Sequence, residues 1–430
     1  MSKLTHFLKD KELRHRLLVI AAILLLVRLM YVIPVPGVDQ AKWQTILENN
    51  KIFGLASMLS GGALAKLSIA MLGIGPYITA SIIMQLLSMV FPALKEMQQE
   101  GTASDRKRFE QYSRLLTIPL ALLQGFSYLN ILKAQGVLIY TPATLFLNLL
   151  VITVTSVFMM WLGENITRQK LGNGISILIF SGIVAEYPQE IGLTIANYAA
   201  NPSISLMINI IITFLMAFLV ILGVIYVTEA ERKIPVSYAK RVRGTKVYGG
   251  ASTYLPMKVN QTGMIPIIFA SSMLMFPSLI GSLLSTIKNN ATILKISVFL
   301  TNFLNPSSGN NWSYVTAYFV MVVLFTYFYT AITFEPKNIS DNLQKNGGFI
   351  PGYRPGKVTE NFLAKTSTRV TLFGALFLGL MAVLPFIVQK FTKITTLTIG
   401  GAGILIAVGV AVEMIKAVEA QVSLREYDTI

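Results

Sequence analysis

The stretch LSGGALAKLSIAMLGIGPYITASIIMQLL, residues 59–87, carries two conflicting signals. It is apolar enough to lie in a membrane, yet it contains residues that interrupt a helix, namely Gly61, Gly62, Gly73, Gly75 and Pro76. Water cannot satisfy an interrupted backbone inside a bilayer, so such a segment is tolerated only beside protein or a water-filled cavity. The stretch therefore predicts a membrane protein with an internal cavity next to residues 59–76.

The composition of the whole chain is also that of a membrane protein. Of its 430 residues, 53% are hydrophobic and 13% are charged, whereas soluble domains average about a quarter charged residues. Apolar runs of about 20 residues, which cross a bilayer as a helix, recur along the chain. We therefore expect an all-α integral membrane protein with ten transmembrane helices, at residues 17–36, 73–92, 114–132, 143–162, 172–188, 204–228, 262–285, 312–334, 369–389 and 396–415.

The distribution of positive charge predicts how the chain is oriented. The formal net charge is +16. If the amino terminus is cytoplasmic and the ten helices alternate, most of the 36 lysines and arginines fall in cytoplasmic segments, as the positive-inside rule requires. We therefore expect both termini in the cytoplasm. A full crossing by residues 54–72 would move the later basic loops outside, so we expect this segment to be re-entrant.

Ten helices divide into two halves of five, residues 1–190 and 191–430. An odd number per half makes the two halves run in opposite senses, as in an inverted repeat. The second helix of each half carries a similar sequence, GIGPYITAS at 73–81 and GMIPIIFAS at 263–271, both of the form G-x-x-P-x-I-x-A-S. Interrupted segments at corresponding positions mark the functional path in such proteins. Two unrelated proline kinks are the alternative, and the motif alone does not decide between them.

The predicted path carries almost no charge. Arg28 lies in the first helix, and Glu413, Lys416 and Glu419 lie near the end of the last, at a spacing that lets them pair on one face. An apolar constriction can close a pore by dewetting. For any single isoleucine, packing or lipid contact is the more ordinary role. The candidates next to small or polar residues are Ile74, Ile78, Ile175, Ile177, Ile179, Ile268, Ile404 and Ile406.

Two predicted cytoplasmic loops, residues 229–260 and 335–368, are longer than connections need to be. The first contains YAKRVRGTKVYGG, residues 238–250, which predicts a hairpin with Arg243 and Lys246 at its tip. The second contains FIPGYRPGK, residues 349–357, in which a stiff turn would expose Arg354. Guanidinium groups bind carboxylates and phosphates, so we expect these loops to dock an acidic protein surface or ribosomal RNA. Contact with anionic lipid is the alternative.

The sequence contains no recognisable catalytic or cofactor motif. It has no phosphate-binding loop, no H-E-x-x-H and no cysteine, and its two histidines, His6 and His15, lie in the basic amino-terminal segment. We expect no catalytic residue, no metal site and no cofactor, so the energy for transport would come from a partner or a gradient. Two other classes of protein remain open. A secondary transporter would need ionisable groups in mid-membrane, and an intramembrane enzyme would need convergent polar groups at the membrane surface.

Nine segments, in order along nearly the whole chain, resemble the SecY family of bacterial protein-conducting channels. They are IPVPGVD (33–39), LSGGALAKLSI (59–69), GIGPYITASIIMQLL (73–87), WLGENIT (161–167), GNGISILIFSGIVA (172–185), STYLPMKVN (252–260), IPIIFASS (265–272), DNLQKNGGFIPGYRPG (341–356) and IGGAGILI (399–406). The resemblance implies a clamshell of two inverted five-helix halves around an hourglass pore, with an apolar ring at its waist.

The resemblance also implies roles for particular residues. The pore ring would be Ile74, Ile78, Ile175, Ile179, Ile268 and Ile406. The plug, a re-entrant half-helix that stops the outer funnel and is loosened by its glycines, would be Ser57, Met58, Leu59, Ser60, Gly61, Gly62, Ala63, Leu64, Ala65, Lys66, Leu67 and Ser68. The lateral gate, a seam that opens toward lipid, would include Thr79, Gln85, Asn173, Ser271, Ser272 and Phe276. The docking surface for motor or ribosome would include Lys240, Arg241, Arg243, Lys246, Arg354 and Lys357.

The function implied by the resemblance is a passive pore in the bacterial plasma membrane. It would pass unfolded secretory polypeptides across the membrane and release membrane helices sideways into lipid. The implied partners are the small subunits SecE and SecG, the motor ATPase SecA, the ribosome, precursors with signal sequences, and anionic lipids. Two features depart from the family. Thr245 and Lys246 follow Gly244 where many relatives have paired basic residues, and the tail after Lys416 is short.

Overall fold

The structure is a computed structural model that describes residues 11–43, 61–139, 141–200, 202–238, 241–243, 246–248, 252–284, 291–303, 312–392 and 401–428. Most of these residues are helical. The helices are α1 (Lys11–Val32), α2 (Gly75–Val90), α3 (Pro92–Lys95), α4 (Ala103–Ala134), α5 (Pro142–Arg168), α6 (Gly174–Ala200), α7 (Ile204–Glu229), α8 (Ile265–Leu284), α9 (Ala291–Phe303), α10 (Trp312–Thr333), α11 (Pro336–Lys345), α12 (Lys357–Thr392) and α13 (Gly401–Asp428). Within the described residues, each of the ten predicted apolar runs overlaps one of these helices.

The described residues include six helices that are long and apolar enough to cross a membrane. They are α1, α4, α5, α7, α12, and α10 together with α11. Helix α2 with the chain up to Gln98 would make a seventh if this pair, which bends by 118° at Phe91, is one span. The bend is expected because the residue before Pro92 is forced out of the helical conformation. The chain is therefore a multi-span membrane protein, and the crossings of α2, α6, α8 and α13 stay predictions.

The helices form two groups that share several corresponding packings. In the first group α2 packs on α4, α4 on α5, and α5 on α6, while α1 and α2 also pack on α5. In the second group α8 packs on α10, α10 on α12, and α12 on α13, while α7 and α8 also pack on α12. Each of these packings has its counterpart in the other group. The groups meet where α8 lies against α2 and α4, and where α13 lies against α6.

A small sheet forms from the chain segments that follow α7 and α11. Its strands are β1 (Glu231–Tyr238), β4 (Ser252–Lys258) and β5 (Gly348–Phe349), in the order β4-β1-β5 and antiparallel throughout. A separate hairpin pairs β2 (Arg241–Arg243) with β3 (Lys246–Tyr248). The all-α prediction thus describes the spanning part of the chain, and the strands lie in the two long loops. These loops share one small core made of Ile234, Val236, Met257, Ile350 and Leu363.

Candidate functional site

The two copies of the repeated motif have the same local structure. Gly73 has φ +53° and Gly263 has φ +63°, a left-handed conformation that glycine adopts readily. In each copy a helix starts two residues later, and Pro76 or Pro266 lies in its first turn, where the missing N–H is not needed. Pro76 thus lies at the start of a helix rather than inside one. The motif therefore marks corresponding helix starts in the two groups.

The predicted ring isoleucines are gathered in one buried apolar cluster. This cluster extends over both groups of helices and is much larger than a ring, so membership does not by itself single out a constriction. Ile175 is half-buried and packs against the cluster. Its side chain also lies beside Gly163 of α5, where a Cβ would be 3.3 Å from Ile175 Cγ1. The other five are at most 6% exposed, namely Ile74, Ile78, Ile179, Ile268 and Ile406.

The described part of the predicted plug, Gly61–Ser68, consists of turns that continue to Ile74 without a helix. Residues 57–60 of the predicted plug lie outside the described residues. The segment returns along the chain that follows α1, because the N–H of Val35 donates to the carbonyl of Leu67 at 2.9 Å. The described path is that of a folded turn segment inside the first helix group.

A buried tryptophan fixes the middle of the same segment. Trp43 is 1% exposed, and its indole Nε1 donates to the carbonyl oxygens of Leu64 (3.2 Å) and Ala65 (3.0 Å). These bonds satisfy two carbonyls that no helix pairs. Trp43 was not among the residues that the sequence singled out, since nothing local connects it to a segment about twenty residues later.

Gly61 and Gly62 have a packing role in the structure, while their loosening of the segment stays a prediction. Gly61 has φ +67° and Gly62 has φ +85°, and both are buried against α6. A Cβ on Gly61 would lie 2.9 Å from Gly182 Cα, closer than a side chain allows. The glycines are needed so that the backbone can turn and approach α6 closely.

The predicted gate residues fall into two places. Helix α2, which carries Thr79 and Gln85, packs directly on α8, which carries Ser271 and Ser272. Thr79 Oγ1 donates to the carbonyl of Gly75 at 3.0 Å and accepts from Gln124 Nε2 at 3.3 Å. The side chain of Phe276 lies outside the described residues.

Asn173 has a structural role at the start of α6. Its Oδ1 accepts from the backbone N–H groups of Ile175 (3.0 Å) and Ser176 (3.4 Å), as the side chain of a helix cap does. Helix α6 packs on α5 and on α13. In the structure Asn173 therefore acts as the amino-terminal cap of α6, while its place in the lateral gate stays a prediction.

Charged side chains of the spanning helices form pairs that differ from the predicted one. Lys416 Nζ lies 2.8 Å from Oε1 of Glu229, at the end of α7. Lys416 thus pairs with another helix rather than with Glu413 or Glu419. Arg114 on α4 lies 2.6 Å from Glu164 on α5. Pairs between helices cannot be read from i, i+3 spacing, which describes one helix only.

The predicted docking loops have the expected local structure. Arg243 pairs with Lys246 at the end of the β2–β3 hairpin, which confirms the predicted tip. Of the other hairpin candidates, Arg241 lies in β2, while Lys240 lies outside the described residues. Arg354 and Lys357 are both exposed.

The turn that carries Arg354 is held from within. The carbonyl oxygen of Arg354 accepts a hydrogen bond from Thr359 Oγ1 at 2.8 Å. The ring of the neighbouring Tyr353 lies 4.1 Å from the ring of Phe362, between centroids. Strand β5 pairs with β1 just before this turn, so the two loops form one unit. The sequence did not predict this connection, because a two-residue strand has no periodicity to detect.

Comparison with known proteins identifies the family. A family model described as SecY matches residues 68–415. Protein translocase subunit SecY of Thermotoga maritima is 41% identical over 438 residues, which cover 98% of this chain and 95% of that protein. In fold, the chain is similar to a SecY structure described for a plug domain that stabilises its closed channel, with TM-score 0.65, 22% identity, and 93% and 90% of the two chains covered. It is also similar to Sec61 in a canine ribosome–channel complex, with TM-score 0.64, 19% identity, and 94% and 91% covered. The chain belongs to the SecY family.

Proposed function

We propose that the protein is the channel subunit through which unfolded secretory polypeptides cross the plasma membrane of a bacterium. Membrane helices would leave the same channel sideways into lipid. The observation that carries this proposal is the match to Protein translocase subunit SecY of Thermotoga maritima, 41% identical over nearly the full length of both chains. The buried apolar cluster between two similarly packed helix groups supports it.

The pore would close at the six predicted ring isoleucines. Translocated polypeptides differ in every side chain, so a site of specific polar groups would trap some of them. Branched aliphatic side chains make only non-directional contacts, and an apolar constriction excludes water when it is empty. The burial of five of these isoleucines in the cluster that both helix groups share supports the ring.

The two helix groups would be the two halves of an inverted repeat, divided near residue 190. Their corresponding packings and the two matching helix starts at Gly75 and Ile265 support this division. The lateral gate would be the seam between α2 and α8, which belong to different halves and lie in contact. The predicted plug, residues 57–68, would close the pore from outside.

The channel would itself be passive and would take its driving force from a partner. Exposed Arg354 and the β2–β3 hairpin suit the docking of an acidic protein surface or of RNA. The ribosome–channel complex of canine Sec61 supports a ribosome as one partner, and the motor SecA would be another. SecE and SecG would complete the channel, with both termini and the docking loops in the cytoplasm and basic residues facing anionic lipid.

Depletion in cells tests the proposal. We expect that lowering the amount of this protein makes precursors with uncleaved signal sequences accumulate in the cytoplasm, because they lose their route across the membrane. Pulse labelling followed by precipitation of a secreted protein measures the precursor fraction. A substrate with a twin-arginine signal serves as control and should be exported normally. Maturation of ordinary precursors at the undepleted rate would contradict the proposal.

A further inference from the structure

Arg28 is a charged side chain within α1, a helix apolar enough to cross a membrane. Its Nη2 donates to the carbonyl oxygens of Ser181 (2.6 Å) and Gly182 (3.1 Å) on α6, and its Nη1 lies 3.5 Å from the carbonyl oxygen of Gly61. A charge in a membrane-spanning segment is costly and usually marks a function. One guanidinium group thus connects α1, α6 and the first described residue of the predicted plug.

The plug and α6 meet backbone to backbone at the same place. Gly61 lies between Gly182 and the ring of Tyr31, where a Cβ would be 2.9 Å from Gly182 Cα and 3.1 Å from Tyr31 Oη. The next residue, Gly62, lies against the carboxylate of Glu186, one turn further along α6. Any side chain at Gly61 or Gly182 would force the segment away from α6.

The opposite end of the segment is attached differently. There the backbone of residues 67–69 pairs with residues 33–35, and Val35 donates to the carbonyl of Leu67 at 2.9 Å. Those bonds join the segment to the chain that follows α1. Gly61 instead contacts Arg28 of α1 and Gly182 of α6. The attachment of the segment to α6 at Gly61 is therefore separate from its attachment at Leu67.

We infer that Arg28 and Gly182 position the plug in the closed channel, and that their contacts with Gly61 break when the channel opens. This inference rests on the proposed function. Removing these contacts destabilises the closed state relative to the open one, and the population of open channels rises accordingly. Arg28 and Gly182 are thus positioning residues for the seal, acting through the plug.

The conductance of resting channels tests the inference. The full channel complex in planar bilayers with KCl, without precursor, reports the open fraction directly. We expect Gly182→Ala and Arg28→Met to raise the resting ion current by about tenfold or more. Arg28→Lys keeps the charge and should restore part of the seal, which a purely steric role of the side chain would not predict.

The chain provides matched controls for the substitutions. Gly192 lies on the same helix as Gly182, but nothing lies within 4 Å of the position that its Cβ would take. Gly136 has φ +71°, close to the +67° of Gly61, and also has open space around it. Gly192→Ala and Gly136→Ala should therefore leave the resting current at the wild-type level. Gly61→Ala repeats the test if Gly182→Ala does not assemble.

A distance measurement checks that the plug itself moves. The chain has no cysteine, so spin labels on Lys66→Cys and Gln135→Cys, both exposed positions, report the distance between the plug and the end of α4. We expect Gly182→Ala to broaden this distance distribution and Gly192→Ala to leave it unchanged. Wild-type current and distance in both Arg28→Met and Gly182→Ala would overturn the inference, as would an equal effect of Gly192→Ala.

The same preparation separates this inference from the proposed function. Vesicles with the wild-type complex are given a signal-bearing precursor together with the motor, and protease-protected product is measured. Absence of product would contradict the proposed function. Product with an unaltered seal in the Arg28 and Gly182 variants would contradict only the positioning role.

Discussion

At the scale of single residues, several buried hydroxyls of the spanning helices donate hydrogen bonds within their own helix. The hydroxyls of Thr117, Thr326 and Thr330 each donate to the carbonyl one turn earlier, at 2.7 to 2.8 Å. Such bonds let polar residues remain in an apolar environment. Ions cannot be satisfied in this way, so Arg28 and Arg114 reach to another helix.

The pair between Arg114 and Glu164 gives a prediction about stability. Glu164→Gln removes the carboxylate that lies 2.6 Å from Arg114, so we expect the free energy of unfolding to fall by about 1 kcal/mol. The value is modest because Arg114 is 37% exposed and solvent screens the pair. Thermal unfolding in detergent measures the effect as a lower midpoint.

Glu110 supplies the control for that prediction. It lies 3.8 Å from the same arginine and its side chain is 62% exposed. Glu110→Gln should change the stability by less than about 0.5 kcal/mol. Equal midpoints for Glu164→Gln and the wild type would show that the pair between α4 and α5 contributes nothing.

The role of a residue could be predicted from the sequence only where it depends on neighbouring residues. Pro76 as a helix start could be predicted, since proline in a first turn is a local preference. The partners of Arg28 on α6 could not, because they lie some 150 residues away in the chain. The sequence did not single out Glu186, because a charge near the end of an apolar run is ordinary. Its contact with Gly62 depends on the tertiary structure.

At the scale of elements, the two long loops become one structure through β1 and β5. The β2–β3 hairpin could be predicted because its turn and alternating residues are adjacent. The pairing of β5 with β1 could not, since β5 has only two residues. The consequence is that Arg354 and the hairpin are carried by one sheet with its own core.

Arg354 should matter for docking and little for folding. We expect Arg354→Glu to reduce motor-driven translocation into vesicles by about tenfold or more, because it replaces an exposed guanidinium with a charge that repels an acidic surface. The amount of protein in the membrane should not change. Arg232→Glu on β1, also exposed, makes the same charge change and should have a much smaller effect. Equal translocation by the two variants would remove the special role of Arg354.

At the scale of the whole molecule, the positions of the long helices could be predicted because hydropathy depends on composition alone. The ends of the helices could not be predicted in this way. Helix α12 begins at Lys357, well before the apolar run at 369–389, since its polar first turns need no membrane. The correspondence between the two helix groups was visible in sequence only at GIGPYITAS and GMIPIIFAS, whereas the structure shows it in the packing of several helices.

The path of the translocating polypeptide can be mapped directly. A photo-crosslinking amino acid is placed at Ile78, Ile179 or Ile268, and a precursor is stopped halfway by a folded domain at its end. Ile211 on α7, which is 57% exposed, is the control with the same side chain. We predict crosslinks from all three ring positions to the arrested precursor and none from Ile211. Crosslinks absent at the three ring positions, or as frequent at Ile211, would contradict a polypeptide path through the apolar waist.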